Sequence, residues 1–171
     1  MGPETSRAEQ LEFARRIALK LLDVRSRTEA ELRDRLAVRG VPGDISEELI
    51  GRFREVGLLD DVVFADALTR TRLQVDRHGL TRIQAELRRR GVGEGAAAEA
   101  LSKVGQEEEL EAARSFAQRR ARTFLAGLDS RVARRRLLGA LRRRGFRGSV
   151  VSSVVDEVLG ETDPDTDDMP L

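Results

Sequence analysis

"ELRRRGV" occupies residues 86–92 and returns as "ALRRRGF" at 140–146; a looser copy, "RLAVRGV", stands at 35–41. Each runs arginine into a glycine and then an apolar residue. With Gly40, Gly91 and Gly145 as anchors, Leu36, Leu87 and Leu141 stand four residues earlier, and Leu32, Ile83 and Leu137 eight earlier. Immediately after the glycines come Val41, Val92 and Phe146. At +5, +9 and +13 the matched sets are Ile45/Ala96/Val150, Leu49/Ala100/Val154 and Phe53/Val104/Val158. Every set is small or apolar, and steps of four residues trace one face of a helix. Further back, Phe13-Ala14, Phe64-Ala65 and Phe116-Ala117 precede the glycines by 27, 27 and 29 residues. The chain is a threefold internal repeat.

Each unit reads as three helices. Thr28-x-x-Glu31 and Thr81-x-x-Gln84 have the form of capping boxes opening the middle helix, with Asp129 or Ser130 as the cap candidate in the third unit. The glycine ends that helix, because a left-handed residue there tolerates no Cβ cheaply. The third helix of the first unit is expected to open at Asp44-x-x-Glu47. No sustained period-two alternation signals a strand. The predicted fold is all-α: three tandem three-helix repeats, 8–58, 59–105 and 106–160, leaning on one another as an elongated, curved modular body. Residues 1–7 and the acidic tail 161–171 are too polar to pack and are expected to be disordered.

Composition narrows the function. Hydrophobic residues make up 40% and charged residues 36% of the 171, against about 45–50% and 25% in ordinary domains. The absence of cysteine excludes disulfide and thiolate-metal scaffolds. No apolar run approaches the ~20 residues of a membrane span. Glu4, Glu9 and Glu12 interrupt the start of the chain where a signal peptide needs an apolar core. A cytoplasmic monomer is the expectation. The net charge of +1 hides a strong asymmetry. Residues 114–147 hold twelve arginines against one acid, Asp129, a local charge of +11; residues 156–171 hold seven acids and no base. A cationic body of this kind faces a polyanion.

Arg39, Arg90 and Arg144, just before the anchor glycines, read first as cations at negative helix ends. The remaining arginines form stripes. Arg131, Arg135 and Arg142 share one narrow wedge, Arg136 and Arg143 form a second, and Leu137, Leu138 and Leu141 lie on a different side. With no Trp or Tyr, and with six Phe mostly at repeat-matched apolar positions, base stacking is not expected to dominate over phosphate or acidic-surface contact.

No catalytic, cofactor or metal constellation emerges. His78 is the only histidine and lies at a helix junction; Asp60-Asp61 precedes an apolar-periodic stretch, where carboxylates cap a helix. Gly91-Val92-Gly93-Glu94-Gly95 has neither a preceding strand nor a following Gly-Lys-Ser/Thr, so phosphate-loop and dinucleotide readings fail.

The ordered pattern "LLDVRSRTEAELRDRLAVRGV" (21–41), "VGLLDDVVFADALTRTR" (56–72), "GLTRIQAELRRRGV" (79–92) and "LLGALRRRGF" (137–146) resembles the RecX family, regulators of the RecA recombinase. The resemblance runs over about residues 10–159. Its most specific element is Leu58 to Ala65 with the downstream Arg72; Val41, in place of a frequent aromatic, and the acidic tail depart from the family pattern. It implies a non-enzymatic protein that binds the RecA–DNA filament along its groove and spans neighbouring subunits. It further implies restraint of ATP hydrolysis, strand exchange and filament extension. The expected partners are the filament and single- and double-stranded DNA, without sequence preference. The arginines expected to carry binding are Arg70, Arg72, Arg77, Arg88 and Arg89, with Arg131, Arg135, Arg136, Arg142 and Arg143. A stand-alone DNA-binding protein of helix-turn-helix-like modules is the alternative, and a neutral helical scaffold a third.

Overall fold

The computed structural model describes residues 6–160. Among them are nine α-helices, one π-helical turn and no strand. They run α1 (Arg7–Val24), α2 (Glu29–Val38), α3 (Gly43–Glu55), α4 (Asp61–Gln74), α5 (Leu80–Arg89), α6 (Glu94–Ser102) and α7 (Gln106–Arg120). The π turn Ala121–Leu125 continues α7 and precedes α8 (Ser130–Arg143) and α9 (Gly148–Leu159). These are three successive three-helix modules. No helix of the described residues is long and apolar enough to cross a membrane.

The anchors behave as left-handed helix stops. Gly40, Gly91 and Gly145 have φ of 74°, 75° and 83°. In each module the next amide reaches back to the leucine four before the glycine: Val41 to Leu36 at 3.1 Å, Val92 to Leu87 at 3.1 Å and Phe146 to Leu141 at 3.3 Å. This is the Schellman arrangement, which satisfies otherwise orphaned carbonyls. Leu32, Leu36, Ile83, Leu87, Leu137 and Leu141 are all fully buried, and the apolar residues after the glycines are buried as well. The matched sets thin out downstream: of Phe53, Val104 and Val158 only Phe53 is buried. The third module also differs in length, because α8 has 14 residues where α2 and α5 have 10. The added turn lies at its N-terminus and brings Arg131.

The chain divides into two compact units. One runs through Leu68 and takes in Glu86–Ala100; the other comprises Thr69–Ala85 and the residues from Leu101 onward. The division passes through α4, α5 and α6, so the middle module contributes to both. In the first unit Ala14 and Ala18 of α1 are buried with Leu32 and Leu36 of α2 and Ile45, Leu49 and Phe53 of α3. In the second, α7 and α8 contribute buried alanines and leucines against a valine face of α9, Val150, Val151, Val154 and Val155.

Several helix starts differ from expectation. Thr28 does cap α2, accepting from the Glu31 amide at 3.1 Å, but it also donates to the Arg90 carbonyl at 2.6 Å. The Glu31 carboxylate turns instead to Arg25 and Arg90. Asp44 is no cap: Pro42 precedes α3 without a side-chain cap bond, and Asp44 pairs with Arg7 at 2.6 Å. Thr81 lies inside α5, which begins at Leu80. There the fully buried Glu109 does the capping, accepting from the Leu80 amide at 3.4 Å and from Arg147 Nε at 2.6 Å. Asp129 caps α8 through the amides of Arg131 and Val132. Ser6 and Arg7, assigned by composition to a disordered end, are the cap and first residue of α1. Residues 1–5 and the acidic segment 161–171 lie outside the described residues.

Candidate nucleic-acid interface

Arginine is plentiful throughout, so the useful distinction is which guanidinium groups already have partners. In the first unit Arg7, Arg25, Arg33, Arg52 and Arg54 each pair with a carboxylate. In the second, Arg114 pairs with Glu111 and Glu157, Arg134 with Asp156 and Arg147 with Glu109. Most of these pairs are exposed and contribute little to stability, but they neutralise those cations as ligand sites.

The last arginine of each RRRG run packs against its own unit. Arg90 lies over the Phe64 ring at 5.7 Å and pairs with Glu31 at 3.2 Å and Glu86 at 3.4 Å. Arg144 lies over Phe116 at 4.8 Å and donates to the Asp76 carbonyl at 2.8 Å. Phe64 and Phe116 are the repeat-matched phenylalanines, so the arginine before the glycine recurs together with a cation–π partner. The Asp60-Asp61 pair is structural too. Asp60 caps α4 through Val62 and Val63, while Asp61, whose pKa burial raises, accepts from the Glu29 amide at 3.0 Å.

Among the expected binding residues, Arg72 is committed to Asp76 at 2.6 Å. Arg77 is the one described non-glycine residue with positive φ, 53°, and its buried Nε has no hydrogen-bond partner. Arg70, Arg88 and Arg89 are exposed, Arg70 in the second unit and the other two in the first. Arg131, Arg135, Arg136, Arg142 and Arg143 are all exposed on α8. Of these, Arg135, Arg136 and Arg143 line a cleft of ≈ 470 Å³ with Gly139, Arg120, Phe124 and Leu125. A second cleft of ≈ 290 Å³ shares Arg120 and Phe124 and adds Arg77, Arg119 and Arg144. Arg119, Arg135, Arg136 and Arg143 have no acidic partner among the described residues. The second unit therefore carries adjoining cationic clefts, lined by a single carboxylate residue, Asp76.

Arg119, Arg120 and Phe124, which line these clefts, are missing from the sequence-derived set. Phe124 is 60% exposed, and the Arg120 guanidinium lies 4.6 Å from its ring centre. Seven residues after the buried Ala117, an α-helix would turn position 124 inward, since seven steps of ~100° nearly close two turns. The π turn adds about one residue to the register. Leu125, 7% exposed, takes the inward place and Phe124 is turned out. π turns of this kind frequently accompany functional sites.

His78 stands in the connection between α4 and α5. Burial, then the cations Arg82 and Arg144, hold its imidazole below the ordinary histidine value, with Asp76 opposing. The unfolded chain therefore takes up this proton first as pH falls through about 6.5, and the stability present above that value declines toward the folded pKa. Because it is the only histidine, its ring resonances followed by NMR are expected to give a midpoint below about 6.5; one at or above that value contradicts the burial argument.

Three family models match the chain in order: RecX, first three-helix domain, over residues 14–53; RecX, second three-helix domain, over 60–101; and RecX, third three-helix domain, over 107–155. The chain is 37% identical over 153 residues to "Regulatory protein RecX" of Amycolatopsis mediterranei (strain U-32), covering 90% of this chain and 87% of that one. It is 37% identical over 172 residues to the protein of the same description from Streptomyces lividans, covering 95% and 90%. Among solved structures, RecX from Lactobacillus salivarius superposes with a TM-score of 0.82 at 21% identity, covering 88% of this chain and 97% of that one. A second crystal structure of regulatory protein RecX superposes with a TM-score of 0.80 at 27% identity, covering 87% and 74%.

Proposed function

The chain belongs to the RecX family of regulatory proteins, and from that premise we propose that it binds the RecA–DNA filament in its groove. There it restrains ATP hydrolysis, strand exchange and filament extension, as a cytoplasmic, monomeric, non-enzymatic inhibitor. The observation that carries this reading is the grouping of exposed Arg119 at the end of α7 with Arg135, Arg136 and Arg143 of α8, none with an acidic partner among the described residues, around two adjoining clefts. A filament offers nucleic-acid phosphates and protein surface together, and such cations suit both. Arg135, Arg136 and Arg143 are the central contacts. Arg131 and Arg142, which share the stripe of Arg135, extend them, and Arg70, Arg88 and Arg89 supply further phosphate contacts. Arg72, already paired with Asp76, and the half-buried Arg77 hold the edge of the surface.

The test is steady-state ATP hydrolysis by RecA filaments on single-stranded DNA, titrated with this protein at two salt concentrations. The expected result is inhibition well below one molecule per recombinase subunit, weakening as salt rises. Unchanged hydrolysis with DNA binding retained would move the reading to a stand-alone DNA-binding protein. Unchanged hydrolysis without DNA binding would remove both.

A further inference from the structure

We propose that Phe124 and Arg120 form a stacking platform for one unpaired base of a single-stranded nucleic acid, with the adjoining arginines holding the phosphates on either side of that base. The proposal rests on the reading that the second unit contacts DNA, and it goes further in naming the strand type and the group recognised.

A phenylalanine 60% exposed between two arginine-lined clefts is not accounted for by the core. The buried place in this turn belongs to Leu125. The Arg120 guanidinium lies 4.6 Å from the centre of this exposed ring. A guanidinium over an aromatic ring makes a composite flat surface, and both groups stack on nucleobases. Arg135, Arg136 and Arg143 line one of the clefts that meet at this surface and Arg119 lines the other. A chain of alternating bases and phosphates matches that alternation of ring and cation. A duplex does not, because its bases are already stacked inside the helix. An acidic protein surface satisfies the arginines but offers the ring nothing in particular. The segment is also built for presentation: the π turn that rotates Phe124 outward is the only one among the described residues, and Arg77, with its strained φ of 53°, lines the same second cleft.

The experiment uses the full-length chain and fluorescence anisotropy with a labelled oligothymidylate and with a duplex of matched length. Phe124→Leu keeps the apolar volume and removes the ring. It is expected to weaken single-strand binding about tenfold or more, while duplex affinity and the salt dependence of both stay as in the parent protein. Phe124→Trp supplies the only tryptophan in the chain. Its fluorescence is expected to be quenched by the oligothymidylate and not by the duplex. Phe124→Leu binding the oligothymidylate like the parent, with an unquenched tryptophan in the second variant, overturns the platform while leaving the cationic surface standing. Equal losses on single strand and duplex also overturn it. If the parent protein binds neither nucleic acid at low salt, the underlying reading has failed as well. Quenching by an acidic peptide but not by the oligothymidylate would move the site to a protein partner.

Discussion

Gly145→Ala is expected to destabilise the second unit by more than about 3 kcal/mol, whereas Gly40→Ala, at the matched position of the first module, costs only about 1–2 kcal/mol. Both glycines are left-handed, with φ of 83° and 74°, so an alanine pays the same backbone penalty at either site. Their surroundings differ. A Cβ on Gly40 meets nothing within 4 Å. A Cβ on Gly145 would stand 2.5 Å from the backbone nitrogen of Arg82. The crossing is glycine against glycine: a Cβ on Gly79 would collide with the backbone of Gly145 and Phe146. Two bonds depend on that approach, Gly79 amide to Arg144 carbonyl at 2.9 Å and Thr81 amide to Gly145 carbonyl at 3.1 Å. Forcing the two backbone segments apart removes both and loosens the start of α5.

Gly91 is the informative intermediate. Its added Cβ would collide with the Ala30 side chain rather than with backbone, so Ala30→Gly should recover much of the loss from Gly91→Ala. Urea melts of the three single variants and this double variant check the order. Equal losses at all three glycines would mean that φ alone governs these positions and that the close approaches are slack.

What the sequence disclosed follows from what repeats. The glycine anchors, the leucine four residues and the leucine or isoleucine eight residues before them and the three-helix pattern recur three times, and recurrence at helical spacing is a signal that local chemistry alone cannot imitate. Helix starts were less legible, because the groups that satisfy them come from elsewhere in the fold. Glu109 lies 29 residues from the amide it caps, and nothing in Thr81-x-x-Gln84 announces that its place has been taken. The arginine runs were half legible. Spacing put Arg135 in a different stripe from Arg136 and Arg143, although the three line one cleft. Nor could it reveal that Arg72 is neutralised by Asp76 while Arg135, Arg136 and Arg143 have no acidic partner among the described residues. Phe124 was hidden for a sharper reason: its exposure depends on a single π turn, and a constant 3.6-residue period assigns it to the core.

Reversing the charge at Arg135, Arg136 and Arg143 together, each to glutamate, is expected to lower affinity for single-stranded DNA by about a hundredfold or more and to abolish inhibition of RecA-dependent ATP hydrolysis. These residues line one cleft and lack acidic partners among the described residues, so each is available to a phosphate. Losing three such contacts reduces the slope of log affinity against log salt by about 2 on single strands. Stability should move the other way. Residues 114–147 carry twelve arginines and one acid, and that self-repulsion is relieved when three cations become anions. A thermal melt no lower than that of the parent protein, together with lost binding and a flatter salt slope, identifies the three side chains as ligand contacts. The corresponding reversal of Arg88 and Arg89, exposed on α5 in the first unit, should act as a smaller and separate loss. If the triple variant still inhibits hydrolysis at the parent's concentration, the α8 cleft is not where the filament is held, and the search moves to the arginines of the first unit.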